Sequence, residues 1–268
     1  MNYYLKLAYT GTNYRGFQWQ SNGVVTVQGE LERVLAEIHR KKIRLNGCGR
    51  TDAGVHASQF YGHIELTELP RENYLFILNK RLPPGIVVHE IIPVGERAHS
   101  RYNAIERTYD YFLHTQPDAF LQPFSTLLEQ DLGESAGAVN SCLRAMIGDQ
   151  DFRPFCLTPD KHPSTNCDLK QARWYRSADG RHLRFRFVAD RFLRGMIRIL
   201  VHELLAVARG EITEQAFKTT LASEKARQQL RLAPPEGLFL TGVRYDYLNQ
   251  EPELPAVHHR KWIEITGH

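Results

Sequence analysis

Cysteine is scarce: 268 residues carry four, at Cys48, Cys142, Cys156 and Cys167, and no two of them form a CxxC pair. Such scattering gives no zinc ribbon and no disulfide framework, and it fits small thiols in a reducing compartment. Glycine-rich phosphate loops of the Walker or dinucleotide type are also missing. No apolar run is long enough to cross a bilayer, and the opening MNYYLKLAYTGTNYRG has no signal-peptide core. These absences lead to the expectation of a cytoplasmic chain. Charge of one sign is not in large excess either. With 34 Lys and Arg against 30 Asp and Glu, a net charge of +4 permits an anionic partner without requiring one.

What is present suffices for a folded protein. A content of 42% hydrophobic and 10% aromatic residues supports a sizeable core, and 24% charged residues is ordinary for a soluble domain. The length allows one large domain or two of usual size. NYYLKLAYT alternates and reads as a strand, and VQGELERVLAEIHRKK places Val27, Leu31, Val34, Leu35 and Ile38 on one helical face. KIRLNGC and HASQFYGHIEL read as strands, RENYLFILNKRL as a helix stopped by Pro83 and Pro84, and GIVVHEIIPV as a strand. The second half repeats that order. ERTYDYFLHT is a strand, ESAGAVNSCLRAMIG a helix, and CDLKQARWYRS with RHLRFRFVAD a hairpin across ADG. RFLRGMIRILVHELLAVARG is a helix, a shorter one follows near TEQAFKTTLAS, and GLFLTGVRYDY closes as a strand. The expected fold is α+β: two ferredoxin-like βαββαβ halves, residues 1–98 and 99–268, divided near Ala98. They are expected to join into one extended, mostly antiparallel sheet with helices on one face and a central cleft. CLTPDKHPSTN reads as a long loop, and the tail after Tyr247 carries no clear signal.

Chemistry concentrates in three places. GCGRTDAGVHA, Gly47 to Ala57, sets three glycines around Arg50 and Asp52. Two readings are open: a tight turn between strands, or a loop that presents Asp52 and Arg50 to a bound partner. Between Arg181 and Arg198 lie six arginines. Arg184 and Arg186 share a strand face with His182, while Arg191, Arg194, Arg198, His202 and Arg209 fall within roughly one-sixth of a turn at ~100° per helical residue. Leu193, Met196, Ile197, Leu200, Leu204 and Ala208 oppose them, Gly195 leaves the backbone approachable on the basic side, and Glu203 points away. Such a stripe is a solvated face, a row of phosphate contacts, or the outside of an arginine that turns inward to a carboxylate. Third, RTYDYF carries Tyr109 and Tyr111 on one strand face and Phe112 on the other, either as packing or as a stacking platform for an extruded base. His56 and His63 match no familiar metal-ligand spacing, and Cys48 with His56 lacks the third group of a nucleophile set.

Taken together these stretches resemble the tRNA pseudouridine synthase A family. GCGRTDAGVHA is similar to its signature loop, which places Asp52 at the catalytic aspartate. FQWQSNGVVTVQGELE resembles its early Gln-rich segment, and HSRYNAIERTYDY its Arg-to-Tyr segment, with Tyr109 at the stacking tyrosine. RFLRGMIRILV resembles the helix that places Arg198 at the arginine paired with the aspartate, and APPEGLFLTGVRY resembles the closing strand. The matches run from Tyr9 to about Tyr247. The resemblance implies isomerisation of uridine to pseudouridine in the anticodon stem-loop of tRNA, at nucleotides 38–40, by a homodimer. An isomerisation needs no redox cofactor, and no metal follows from the resemblance. Asp52 would attack the sugar's anomeric carbon or remove a neighbouring proton, and Arg198 would favour its ionised form. Tyr109 would stack on the uracil, and Arg50 would fill the space left by the flipped base or hold a phosphate. Arg184, Arg186, Arg191 and Arg194 are the candidates for contacts to the tRNA backbone.

Several positions depart from the family pattern. Gln150 stands where His is usual, Arg153-Pro154 where small residues are common, His202 where Gly is usual, and CDLKQA lacks an arginine. None is a catalytic position, so they bear on which uridines are modified. Two other readings compete: a silent RNA-binding module using the same basic surface, and a carboxylate-dependent hydrolase of another anion. The set of Asp52, Tyr109 and Arg198 argues against the first, and a metal requirement or small-molecule turnover would favour the second.

Overall fold

Aromatic and branched residues in NYYLKLAY form β1 (Asn2–Tyr9), a strand paired along both edges and buried over most of its length. The computed structural model describes residues 1–67, 72–129, 132, 135–223, 225–248 and 250–266. Among these are five α-helices and eleven strands, most of them paired antiparallel, so the fold is α+β as expected. None of the described helices is long and apolar enough to cross a membrane. The chain forms two compact units, Met1–Ile105 with Phe239–Pro255 and Glu106–Leu238 with Ala256–His268.

In the first unit β1 lies between β3 (His56–Glu65) and β4 (Ile86–Val94), antiparallel to both. The strand expected over KIRLNGC shrinks to β2 (Asn46–Gly47), paired with β3. Helix α1 (Val27–His39) starts at Thr26, whose Oγ1 accepts the Gly29 N–H at 3.2 Å and satisfies one of the orphan donors of the first turn. It buries Val27, Leu31, Val34 and Leu35, the face expected, with Ile38 half-buried. Helix α2 (Tyr74–Arg81) ends at Leu82, before the two prolines. Its expected start at Arg71 lies outside the described residues. β3 also has a parallel neighbour from far along the chain, β10 (Leu238–Arg244), through Phe239↔His56 and Leu240↔Ala57. A single division near Ala98 would leave that strand with the second half. Its pairing with β3 instead groups Phe239–Pro255 with the first unit.

In the second unit β5 (Glu106–His114), β9 (His182–Ala189), β8 (Asn166–Ser177) and β11 (Trp262–Glu264) lie side by side in that order, each antiparallel to the next. β6 (Thr126–Leu127) adds to β5 in parallel, and β7 (Gly148–Asp151) adds antiparallel to β8. Helices α3 (Ala136–Ala145), α4 (Met196–Ala208) and α5 (Glu214–Leu221) pack on one another. The expected start of α3 at Glu134 lies outside the described residues. Asn140 of α3 accepts a hydrogen bond from the Trp174 indole at 3.0 Å, which ties the helices to β8. Gln150 closes the end of α3 by donating to the carbonyls of Ala145 and Ile147, so this departure from the family pattern has a structural use.

The arginine stripe is corrected in three ways. First, α4 begins only at Met196, after Gly195 at φ +72°, so Arg191 and Arg194 precede the helix. A Cβ on Gly195 would lie 2.7 Å from Leu157, so the glycine serves packing rather than leaving the backbone open. Second, α4 is a core helix: Arg198 and His202 are its only half-buried positions, and every other residue is buried. Third, the strand arginines have an acidic partner. Asp110 lies directly across from Arg186 and takes its guanidinium in a two-pronged contact at 2.9 and 2.8 Å. Arg184 Nε approaches the same carboxylate at 3.6 Å, and its guanidinium lies over Tyr175 at 4.1 Å and Trp262 at 5.0 Å. Burial pulls the Arg184 pKa down while Asp110 pulls it up. Trp262 comes from the tail, where His258 also stacks on Phe112 at 3.7 Å. The tail, silent in the sequence, therefore covers the sheet face that carries the two arginines. Arg184 and Arg186 are thus engaged within the second unit, Arg184 buried and Arg186 half-buried, with Asp110 as their shared acid.

Removing the shared carboxylate leaves two largely buried guanidinium groups without their acid. Asp110→Ala is expected to cost about 3–5 kcal/mol of stability, read as a drop in the urea unfolding midpoint. A cost below about 1 kcal/mol would mean that the aromatic contacts and water carry those charges.

Candidate active site

Asp52 sits in the turn between β2 and β3, and the first unit holds that turn from outside. Its carbonyl accepts the Val55 N–H at 3.2 Å, closing a tight turn with Gly54 at φ +80°. Of the two readings of the glycines the tight turn is observed, and Asp52 is half-exposed on it. The segment 10–17 braces both flanks. The Gly54 N–H reaches the Tyr14 carbonyl at 3.3 Å, and the Phe17 N–H reaches the Thr51 carbonyl at 3.2 Å. Thr51 is buried, and its hydroxyl meets that of Tyr9 at 2.9 Å. The closest approach is at Gly11, where any Cβ would lie 2.1 Å from the Val55 carbonyl oxygen. Only glycine lets the two chains run this close.

The brace is itself anchored to α1. The Val27 and Gln28 N–H groups, unsatisfied donors of the first turn, bond to the carbonyls of Gly16 and Phe17. The Gln28 side chain returns an acceptor to the Trp19 N–H and a donor to the Leu45 carbonyl, both at 2.9 Å. The Gln-rich stretch therefore serves as scaffold beneath the Asp52 turn.

The neighbouring groups have other work. Cys48 is buried, its N–H bonded to the Tyr61 carbonyl and its sulfur accepting the Tyr61 N–H, as a core thiol does. His56 is buried, stacks on Phe239 at 4.5 Å, and accepts the Gly11 N–H at 3.1 Å. His63 accepts the Ser100 N–H at 3.2 Å and lies 3.2 Å from the Asn46 amide. These two imidazoles support the backbone rather than forming a ligand pair.

Arg50 is exposed on the rim of a groove in the first unit, of about 140 Å³, shared with Gln18, Asn46, His99, Arg101 and Tyr102. The last three were not singled out as candidates from the sequence. Nothing in periodicity marks them, since they lie in a turn before β5, and only the adjacent Arg-Tyr pair hints at them.

In the second unit Tyr109 is half-buried on β5, facing Phe187 across the ladder and meeting the Phe192 ring edge-on at 5.2 Å. Tyr111 is core: its hydroxyl donates to the Pro234 carbonyl at 2.9 Å and shares a 2.7 Å bond with Thr126, and burial pushes its pKa up. Arg198 is half-buried on α4, with its Nε donating to the Ala233 carbonyl at 2.7 Å while the Ala233 N–H returns a bond to the Arg198 carbonyl at 2.9 Å. The helix and the APPEG segment are tied together at this arginine. Arg194 is exposed and Arg191 half-buried, both ahead of α4. Arg209 is paired with Glu211, and Glu203 with Arg227, so the basic row is not free of acids. Arg153, another departure, pairs with Asp160.

The His63 environment makes a pH prediction. Burial and, next, the nearby His99 lower its pKa, against a smaller opposing pull from Glu65. Below about pH 6.5 the unfolded chain takes up a proton that the folded chain resists, so stability is complete above that pH and falls below it. The urea midpoint should drop between about pH 7.5 and 5.5, and His63→Gln should drop less over the same range. Equal losses in the two proteins would assign the slope to other histidines.

Comparison with known proteins matches the model described as tRNA pseudouridine synthase over residues 7–103 and 143–246. The tRNA pseudouridine synthase A of Chlorobaculum tepidum is 39% identical over 243 residues, covering 90% of this chain and 96% of that protein. Those of Parabacteroides distasonis and Chlorobium chlorochromatii are 35% and 33% identical over 246 and 247 residues, covering 91% and 90% of this chain and 95% and 98% of theirs. The match takes in the braced turn, its scaffold and the Arg198 helix, and by it the chain belongs to the tRNA pseudouridine synthase family.

Proposed function

We propose that this chain isomerises uridine to pseudouridine in tRNA, with Asp52 as the catalytic carboxylate. The observation that carries the reading is the braced turn: a half-exposed carboxylate on a backbone fixed from both flanks, within a segment that the family model matches. The chemistry needs such a group. The bond from C1′ to N1 breaks, the uracil turns, and C5 bonds to C1′ while losing its proton, with N1 ending protonated. Atoms and electrons balance within the nucleotide, so no redox partner enters. A carboxylate at C1′ serves whether it attacks that carbon or takes the neighbouring proton, and a rigid mount fixes it at reacting distance.

The other roles follow the family resemblance. Tyr109 stacks on the uracil, Arg198 orients the aspartate, and Arg50 fills the place of the extruded base or holds a phosphate. Arg191 and Arg194, outside the helix, contact the tRNA backbone. The anticodon stem-loop is the target, a homodimer the working form, and the cytoplasm the compartment.

tRNA labelled with tritium at C5 of uridine tests this. The wild type should release the label. Asp52→Asn, which keeps shape and loses charge, should lower release by at least about 10⁴-fold while binding tRNA within a few-fold of wild type. Tight tRNA binding without release by the wild type would instead leave an RNA-binding module.

A further inference from the structure

Resting on the tRNA reading, we propose that the groove beside the Asp52 turn is a second nucleotide subsite, holding a base of the substrate RNA against Tyr102 with its phosphate on Arg101 and Arg50. The groove lies wholly in the first unit. Tyr102 is 76% exposed, unusual for so large an apolar ring, and its face contributes little to the core. Beside it the Arg101 guanidinium stands 5.9 Å from the ring centroid, with Arg50 also on the groove lining. Among the described lining residues there are two arginines and no carboxylate. An aromatic face next to paired cations matches a nucleotide, whose base has a π-face and whose phosphate is anionic.

The turn that carries these groups is built rather than loose. His99 Nδ1 accepts the N–H groups of Arg101 and Tyr102 at 3.1 and 3.4 Å, and the His99 ring lies 4.3 Å from that of Tyr102. Asn103 closes the turn, accepting the His99 N–H at 2.6 Å and donating its own N–H to the His99 carbonyl at 3.0 Å. Beneath it Ser100 is fully buried. Its hydroxyl donates to the Asn46 carbonyl at 2.7 Å, and its carbonyl accepts the Tyr245 hydroxyl at 2.6 Å. His63 supports both His99, ring to ring at 4.4 Å, and the Ser100 backbone. A ring held in place before binding loses little entropy when a base stacks on it. Asn46 lines the groove and also anchors Ser100, so the subsite shares its floor with the strand that leads into the Asp52 turn.

The test is tRNA binding by fluorescence anisotropy across a salt series, with C5-tritium release measured on the same proteins. Tyr102→Ala should weaken binding by about tenfold or more, and Tyr102→Phe, which keeps the ring, should stay within about twofold. Arg101→Ala should weaken binding and reduce the salt slope by about one. Arg33→Ala, at a position committed to Glu30 and Glu37 on α1, should leave binding unchanged and controls for net charge. Wild-type affinity in both Tyr102→Ala and Arg101→Ala, with label release by the wild type intact, would overturn the subsite and leave the family reading standing. Equal weakening by Tyr102→Phe and Tyr102→Ala would also overturn it, since the contact would then be the hydroxyl and not the ring. Absence of both tRNA binding and label release in the wild type would instead sink the underlying reading.

Discussion

The Val55 carbonyl oxygen and Gly11 Cα are close enough that no side chain fits between them, and the first unit is organised around that contact. It sets segment 10–17 against the Asp52 turn, so that the turn's backbone polar groups find partners outside it. From there the constraint passes to α1 through the carbonyls of Gly16 and Phe17, and to β3 and β10 through His56, which receives the Gly11 N–H and stacks on Phe239. A half-exposed carboxylate gains from such a mount because a reacting atom must be met at a fixed distance, and a turn left to solvent would wander.

The second unit meets a different demand, the burial of cations. Its sheet carries Arg184 and Arg186 inward to Asp110, where Tyr175, Trp262 and the tail exclude water from one guanidinium while a two-pronged bond satisfies the other. On α4 Arg198 is held by the carbonyl of Ala233, with Tyr111 and Thr126 forming part of the same polar cluster around Pro234. In both units polar contacts fix the candidate positions, backbone bonds at the Asp52 turn and the Ala233 carbonyl at Arg198.

Legibility in the sequence followed the range of the interactions. β1, β3, β4, the α1 face and the Asp52 turn could be read because periodicity, prolines and turn glycines act within a few residues, whereas KIRLNGC alternates like a strand and pairs only at Asn46–Gly47. The pairing of β10 with β3 could not, because it joins Phe239 to His56 across most of the chain. Asp110 and Arg186 are likewise neighbours only across a ladder, so the arginines looked unpaired in a local window. The helical stripe breaks for a local reason: Gly195 at positive φ precedes the first turn of α4, which leaves Arg191 and Arg194 outside the helix. The tail's β11 spans Trp262–Glu264, too short for alternation to register. The groove turn at His99 to Asn103 was missed because its order comes from side-chain hydrogen bonds, which leave no periodic trace.

If the close approach at Gly11 positions Asp52, single-turnover kinetics of Gly11→Ala with saturating tRNA will register its loss. The added methyl must push the Val55 carbonyl away and shift the turn. The rate constant should fall by about 10²-fold, since a displacement near 1 Å costs that much at a reacting centre, with tRNA affinity within a few-fold of wild type. An unchanged rate constant would contradict it, because Asp52 would then find its place without the brace.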